Sequence, residues 1–287
     1  MCFVTALSLW MLTLAVSSGR ALPAVPSDPG VTSGGSFLSN LQTTAPERLC
    51  ILTYNLNGPP EKRIKDVTQA LTGHHVLKDA QIVALQEVNR HHRRTGYKDM
   101  ASELARALSM CYVFGVENPY KDGDGERGLA ILSRFPFSQI ERIPLPHTGP
   151  RGRNRIAVAA TIHLGPKRLR IYSVHLETRI SNQEHTEQLL TVLNHATRYG
   201  ELPTVILGDF NTIRFRRKRM FALMKQAGFH SLPNHQITFQ RLWVVRRKLD
   251  WIWVRNLDVL EAGVVGSITA SDHRPVWALV TLRSLRD

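Results

Sequence analysis

Cysteine is scarce in this chain: of 287 residues only three are Cys, and none stands in a Cys-x-x-Cys pair. A structural zinc site needs closely spaced Cys and His ligands, so that class is excluded. Cys2 lies in an apolar N-terminal stretch, whereas Cys50 and Cys111 sit in apolar, strand-like runs and read as two buried free thiols. Acidic residues are also in the minority, 23 Asp and Glu against 37 Lys and Arg. The formal charge of +14 argues for a polyanionic partner, nucleic acid or an anionic membrane surface, and says nothing about fold. After Val16 no apolar run is long enough to cross a bilayer, and no internal repeat is evident.

The N-terminus is apolar from Cys2 to Val16, then small and polar, with Gly19 and Ala21 in the small-x-small spacing of a signal-peptidase site. The expectation is a signal peptide over residues 1–21 and a secreted or periplasmic protein. Lys and Arg are absent before the apolar stretch, a departure from the usual signal that leaves an uncleaved membrane anchor as the alternative. Residues 22–46, rich in Pro, Gly, Ser and Thr without periodicity, read as a flexible linker. Residues 47–287 then form one domain. A hydrophobic content of 43% supplies a sizeable core.

Strand-like runs recur throughout that domain: Leu49 to Tyr54, Gln81 to Gln86, Leu129 to Ser133, Ile156 to His163, Leu169 to His175, Thr204 to Leu207, Asp250 to Val254 and Val276 to Leu282. Helical patterns lie between some of them, at Asp99 to Leu108 and at Gln183 to Arg198, where Leu189, Leu190, Leu193 and Ala196 make an apolar stripe. Hairpin-like and helix-separated strands in one chain predict an α/β (α+β) architecture of two packed sheets covered by helices, rather than a doubly wound parallel sheet.

Polar residues stand at the ends of these strands again and again. T-V-I-L-G-D-F-N-T delivers Asp209 and Asn211, two positions apart and hence on one side of an extended segment. T-Y-N-L-N-G places Asn55, I-V-A-L-Q-E-V places Glu87, I-Y-S-V-H-L-E places His175, K-L-D-W-I places Asp250, and S-D-H-R-P places Asp272 and His273. Any one of these is an ordinary turn or a satisfied core polar group. Together they are a constellation.

In this order the motifs resemble the endonuclease/exonuclease/phosphatase superfamily, whose members include deoxyribonuclease I-like nucleases, apurinic endonucleases, sphingomyelinases and inositol-phosphate phosphatases. Gly-Asp-x-Asn and Ser-Asp-His are the most specific of the shared signatures, and the resemblance runs from about Leu49 to the C-terminus. It implies a deoxyribonuclease I-like four-layer sandwich, two mixed β-sheets flanked by helices. It also implies that Glu87 is the principal metal ligand, assisted by Asn55 and Asp272. Oxygen-only ligation suits Mg²⁺ or Mn²⁺. His273 matches the family histidine that contacts the scissile phosphate and is held by a strand-end carboxylate, here Asp250. Asp209 and Asn211 would position and activate the attacking water. His175 would donate a proton to the leaving oxygen or touch the phosphate. Arg134 and Arg155 fall where members carry phosphate-facing basic residues.

Departures narrow the choice. Apurinic endonucleases carry Asp where this chain has Asn57 and lack the histidine present here as His175; inositol-polyphosphate phosphatases carry Trp-Cys-Asp-Arg where this chain reads R-K-L-D-W-I-W. Secreted phosphodiesterases remain, nonspecific nucleases and sphingomyelinases among them. The run R-F-R-R-K-R, containing Arg214, Arg216, Arg217 and Arg219, follows the Asp209 strand end and is expected at the rim of the site, where Arg forks suit phosphodiester oxygens and Phe215 could stack a base. G-P-R-G-R-N-R, from Gly149 to Arg155, is a second basic cluster. The expected substrate is nucleic acid; the alternatives are a phospholipid substrate and a non-catalytic polyanion- or membrane-binding module on the same fold.

Overall fold

Continuous apolar runs become strands buried on both faces, because each lies between a second sheet and a layer of helices. Every residue of Leu49–Asn55 and of Thr204–Asp209 is buried. The computed structural model describes residues 28–35, 44, 46–58, 61–232, 236–241 and 244–282. The expected signal, residues 1–21, lies outside the described residues. No helix among those described is long and apolar enough to cross a membrane.

In chain order the strands are β1 (Val31–Gly34), β2 (Leu49–Asn55), β3 (Ile82–Arg90), β4 (Cys111–Pro119), β5 (Glu126–Ser133), β6 (Phe137–Pro144), β7 (Ile156–Leu164), β8 (Lys167–His175), β9 (Thr204–Asp209), β10 (His230–Ser231), β11 (Phe239–Arg241), β12 (Val245–Arg247), β13 (Asp250–Arg255), β14 (Leu257–Val264) and β15 (Val276–Leu282). The helices are α1 (Glu61–Gly73), α2 (Met100–Ala107), α3 (Asn182–Thr197) and α4 (Arg214–Gln226). One sheet runs β1-β4-β5-β3-β2-β15-β14, the other β10-β13-β9-β8-β7-β6, and β11 with β12 makes a separate hairpin. Both sheets are mixed: β2 with β3 and β8 with β9 are parallel, and the remaining pairs are antiparallel.

Side chains alternate along each strand and so sort the core into three apolar layers. Ile51, Val205 and Leu207 point between the sheets; Leu52 and Leu85 meet Val67, Leu71 and Leu104 of α1 and α2; Ile206 and Tyr172 meet Leu189, Val192 and Met220 of α3 and α4. The result is the predicted sandwich of two packed mixed sheets flanked by helices. Asp99 caps α2 by accepting the Ser102 N–H at 3.0 Å, and Ser181 and Glu184 form a reciprocal capping box on α3. The buried face of α3 passes through His185, Gln188, Leu189, Val192, Leu193 and Ala196, keeping Leu189, Leu193 and Ala196 of the expected stripe. Leu190 is only partly buried. Cys50 and Cys111 are buried free thiols.

The stretch expected to be a linker contains a strand. A turn at Asp28, whose carboxylate accepts the Gly30 N–H at 2.7 Å, sends Val31–Gly34 antiparallel along β4, with Val31 buried. Composition alone hides this, since only the open edge of β4 makes a four-residue strand worthwhile. The outermost strands are β1 and β14 on one sheet and β10 and β6 on the other; β10 is two residues long, and both β6 and β14 carry register shifts.

Two parallel pairs bring strand ends to a common edge. Asn55 is opposite Gln86 on β2 and β3, His175 is opposite Asp209 on β8 and β9, and Asp250 opens β13 beside Asp209. Gly208 makes this close approach possible: its φ is +143°, and a Cβ there would lie 2.1 Å from the Val174 carbonyl oxygen. Gly208→Ala should therefore lower stability by about 2 kcal/mol or more in thermal or urea unfolding. Gly73→Ala, at a helical glycine with nothing within 4 Å, should leave stability unchanged or raise it slightly.

Candidate active site

Asp209 is the point on which the site converges. Its Oδ1 accepts the backbone N–H of Asn211 at 2.9 Å, an Asx turn that follows directly from the Asp-Phe-Asn sequence. Asn211 takes φ +47°, a conformation Asn tolerates better than most residues. Its amide nitrogen donates to Leu176 O at 2.9 Å and to Asp209 Oδ2 at 3.2 Å. From the other sheet Asn55 Nδ2 donates to the same Oδ2 at 3.0 Å. His185, on α3, lies with Nε2 2.9 Å from the carbonyl of Phe210; burial pushes its pKa down to about 4, so it is neutral and donates there, bracing the turn from behind.

His273 faces Asp209 from a third direction, its Nε2 3.8 Å from Oδ2. Its Nδ1 lies 2.8 Å from Asp250 Oδ2 and 3.1 Å from Oδ1. Burial opposes a charge on this ring, but the carboxylates of Asp250 and Asp209 outweigh it and lift the pKa to about 10. The ring is an imidazolium at neutral pH. Thr238 Oγ1 accepts the N–H groups of Leu249 and Asp250, and the Phe239 ring meets the imidazole edge-on at 4.9 Å, so the β11–β12 hairpin is seated on the site. Asp272 is partly buried beside this ring.

Glu87 sits at the irregularity between Leu85 and Val88 in the β3–β5 register and has φ +56°. A non-glycine residue held there is strained, and such strain concentrates where a side chain must be aimed. Glu87 Oε2 lies 3.2 Å from Arg127 Nη1 and Oε1 lies 3.8 Å from His175 Nε2. Burial raises the carboxyl pKa, but Arg127, His175 and Arg155 more than offset it, and the group is held below the usual carboxylate range.

His175 Nε2 is also 3.7 Å from Asp209 Oδ2, while its Nδ1 is 2.7 Å from Arg155 Nη1 and 3.1 Å from Glu117 Oε1. Nδ1 thus lies between a donor, Arg155, and an acceptor, Glu117, while Nε2 is turned towards Glu87 and Asp209. Arg155 also donates to Glu117 at 3.0 Å and to Glu177 at 2.9 Å. Burial would raise the Glu117 pKa, yet Arg155 and His175 hold it far below the usual range.

The structure thus gathers Asn55, Glu87, His175, Asp209, Asn211, Asp250, Asp272 and His273 at one edge of the sandwich. Three arginines fall elsewhere or are otherwise engaged. Arg134 lies at the opposite end of the sheet: its guanidinium bonds Lys78 O and its N–H bonds the carbonyl of Gln81, a residue six positions before Glu87 and so roughly 20 Å away along β3. Arg155 is next to the site, but its guanidinium is buried against Glu117 and Glu177 and does not face substrate. Arg216 is buried too, donating to Asn182, Glu177 O and Ile180 O, and fastens the loop before α3 to α4. Arg214, Arg217 and Arg219 are exposed on α4, with Arg217 over the Trp251 ring at 5.6 Å.

Glu117, Glu177 and Arg127 are members of the site that the sequence reading missed. A signal was present, since Glu117 ends an otherwise apolar strand and a buried carboxylate there requires a cation. Asp209, Asp250 and His273 offer donor atoms within 4.8 Å of one another, but an imidazolium tied to Asp250 has no lone pair for a cation. Glu87 is different. It is ionised and partly exposed, and Asn55, whose amide oxygen accepts the Asn57 N–H at 2.9 Å, is paired with its neighbour Gln86; with Asp272 these would supply an oxygen set that suits a hard divalent ion.

Two mixed sheets packed face to face, with amides, carboxylates and histidines brought to one edge by paired strand ends, define a hydrolase fold of the deoxyribonuclease I-like superfamily. The chain belongs to the Endonuclease/Exonuclease/phosphatase family, whose model matches residues 52–273, from within β2 to His273 itself. It is similar to the Escherichia coli protein YbhP, with 27% identity over 220 residues that cover 71% of this chain and 84% of YbhP. Its fold is shared with an endonuclease/exonuclease/phosphatase from Beutenbergia cavernae (TM-score 0.66, 19% identity, 83% of this chain and 72% of that one). It is shared equally with D. rerio TDP2 complexed with single strand DNA product (0.65, 20%, 82% and 100%). The human Nocturnin catalytic domain with bound sulfate matches at 0.64, with 18% identity over 84% and 96% of the two chains. Members of the family are divalent-metal-dependent hydrolases.

The Asp250–His273 pair gives a pH expectation. Its attraction is present at neutral pH and is lost as pH rises through about 10, where His273 gives up its proton; at the acid end burial raises the Asp250 carboxyl above its ordinary value, and protonation of that partner ends the attraction there. Followed by NMR in protein treated with chelator, the His273 ring proton should titrate near pH 10, and in Asp250→Asn about two units lower or more. Titration below pH 7 in the unaltered protein would contradict the pairing.

Proposed function

We propose that the chain is a divalent-metal-dependent phosphodiesterase whose substrate is nucleic acid. The observation that carries this reading is the convergence of Asn55, Asn211, His175 and His273 on Asp209 Oδ2, at 3.0, 3.2, 3.7 and 3.8 Å, with Glu87 alongside. Glu87, Asn55 and Asp272 would hold Mg²⁺ or Mn²⁺, which polarises the phosphoryl group and stabilises charge on the leaving oxygen.

In this mechanism Asp209 Oδ2, fixed by two amide donors, takes the proton of the attacking water. The imidazolium of His273, held by Asp250, donates to a non-bridging phosphate oxygen, and charge developing there meets a preorganised cation. As the phosphorus–oxygen bond breaks, His175 would act from its imidazolium form, its Nδ1–H directed at Glu117 Oε1 3.1 Å away, passing the Nε2 proton to the leaving oxygen and returning to the neutral ring. Asn211 does not touch substrate; it holds the turn.

The nucleic-acid reading draws on the +14 charge and on the exposed Arg214, Arg217 and Arg219 just beyond Asn211. The TDP2 fold neighbour, solved with a single strand DNA product, is in keeping with it. One observation favours a second reading, a phospholipid phosphodiester. The hairpin seated on His273 exposes Val244 at 86% beside the exposed Arg241, Arg246 and Arg247, a combination that suits an anionic bilayer surface. Export by a signal over residues 1–21 belongs to the same proposal; the secreted protein would then begin near Leu22 on N-terminal sequencing.

The deciding experiment measures product release from DNA, RNA, sphingomyelin vesicles and inositol phospholipids, with and without Mg²⁺. Chelation should abolish turnover and Mg²⁺ or Mn²⁺ should restore it; full activity after exhaustive chelation would sink the metal assignment. Asp209→Asn and His273→Ala should each cost about two to four powers of ten in turnover, the scale of acid–base and charge-stabilising groups. Counterion release gives duplex binding a logarithmic salt slope of about −0.9 per phosphate contacted. Replacing Arg214, Arg217 and Arg219 by Ser should flatten that slope, and an unchanged slope would remove α4 from the nucleic-acid surface.

A further inference from the structure

Arg153 stands beside the site with no anion of its own. The loop that carries it is built to hold still. Gly149 N–H bonds Arg153 O at 2.8 Å, Arg153 N–H bonds Gly149 O at 3.3 Å, and a Cβ on Gly149 would lie 2.7 Å from the Glu177 carboxyl carbon. Next in sequence, Asn154 exchanges two hydrogen bonds with Asn118, at 2.9 and 3.0 Å, and its Oδ1 accepts from Thr148 at 3.0 Å. The loop is thereby clamped to the end of β4.

The charged groups acting on Arg153 are Arg155, Glu177, Arg127 and Glu87. Both carboxylates are already engaged. Glu177 accepts from Arg155 Nε at 2.9 Å and from the Arg179 N–H at 3.0 Å, and Glu87 from Arg127 at 3.2 Å. Among the described residues no carboxylate is within 4.0 Å of the Arg153 guanidinium. A half-buried cation left facing two other guanidinium groups is unfavourable by itself, and burial followed by repulsion from Arg155 holds its pKa below the ordinary arginine value. A second unmet donor lies on β3, the strand that carries Glu87. Asn89, fully buried opposite Arg127 in the β3–β5 register, accepts from Tyr120 through Oδ1 at 2.7 Å but has no partner for Nδ2. Buried donors without acceptors are rare in folded proteins, and Asn89 stands on β3 two residues beyond Glu87.

We infer that Arg153 forms a second anion subsite flanking the reaction centre, one that takes the phosphate neighbouring the cleaved one in a nucleic-acid strand. The inference rests on the phosphodiesterase reading above and names a contact within it. A guanidinium fork suits a phosphate because it can place two parallel N–H bonds on two oxygens.

The test compares a short single-stranded DNA oligonucleotide with bis(p-nitrophenyl) phosphate, which offers one phosphate and no neighbour. Arg153→Gln should raise KM for the oligonucleotide about tenfold or more while lowering kcat/KM on the small diester by less than about threefold, and Arg153→Lys should recover part of the loss. Oligonucleotide binding to the Asp209→Asn protein, measured with and without Arg153→Gln, should weaken by the same factor. Equal losses on both substrates would move Arg153 into the reaction centre or the fold and overturn the subsite. Unchanged KM and binding would overturn it too, while turnover of both substrates by the unaltered protein left the phosphodiesterase reading standing. If the unaltered protein hydrolyses neither substrate, that reading falls, and the binding arm still decides whether Arg153 holds a phosphate.

Discussion

The hydrogen bond from Asn55 Nδ2 to Asp209 Oδ2, 3.0 Å long and joining residues 154 positions apart, crosses from one sheet to the other. Elsewhere the space between the sheets is filled by Ile, Val, Leu and Ala, whose attraction is strong and non-directional. Such a core tolerates sliding. A buried amide and carboxylate do not, because either one left unpaired costs more than the bond itself contributes. Gln86 Nε2 donates to Ser173 Oγ at 3.1 Å across the same seam, on the strand just before Glu87. Two short polar ties at the functional edge therefore set the register of sheet on sheet.

Around that seam the charges are balanced in pairs and triads. Glu87, Glu117 and Glu177 are held by Arg127 and Arg155, and Asp209 and Asp250 by the two histidines. Networks of this kind add little net stability, yet removing one partner is expensive, roughly 3–5 kcal/mol, because it strands the other charge. Their contribution is rigidity. Each reactive nitrogen or oxygen is fixed by a partner behind it, so the ring of His175 and that of His273 present only Nε2 to the cleft.

What the sequence makes legible is local. Asp209 and Asn211 declare themselves because an apolar strand stops at a glycine and two polar residues follow on one side. The same holds for Asn55, His175 and Asp250, each at a strand end, whereas Glu87 lies within β3 at the irregularity in its pairing and His273 in the stretch before β15. Glu117 shows in the sequence only as a lone acid late in an apolar strand and Arg127 not at all, because what makes them special is a partner 38 and 10 positions away, Arg155 at 3.0 Å for Glu117 and Glu117 at 3.6 Å for Arg127. Arg134 misleads for a related reason: the pattern L-S-R-F-P marks a strand end without telling which edge of the sheet that end reaches. Arg216 is read correctly as cationic and wrongly as exposed, since the carbonyls it satisfies belong to a loop far back in the chain. The buried face of α3 extends beyond the apolar stripe because His185 and Gln188, polar but bonded, also lie on it.

The perimeter of the two sheets has a consequence of its own. An exposed strand offers a row of unused backbone groups to any other extended chain, and long, flat edges invite association. Here β1 is a four-residue strand and β10 a two-residue one, while β6 and β14 are interrupted by register shifts. Among the described residues each outer strand is thus either short or interrupted, and β1 closes off β4, a nine-residue strand that would otherwise present the longer open border.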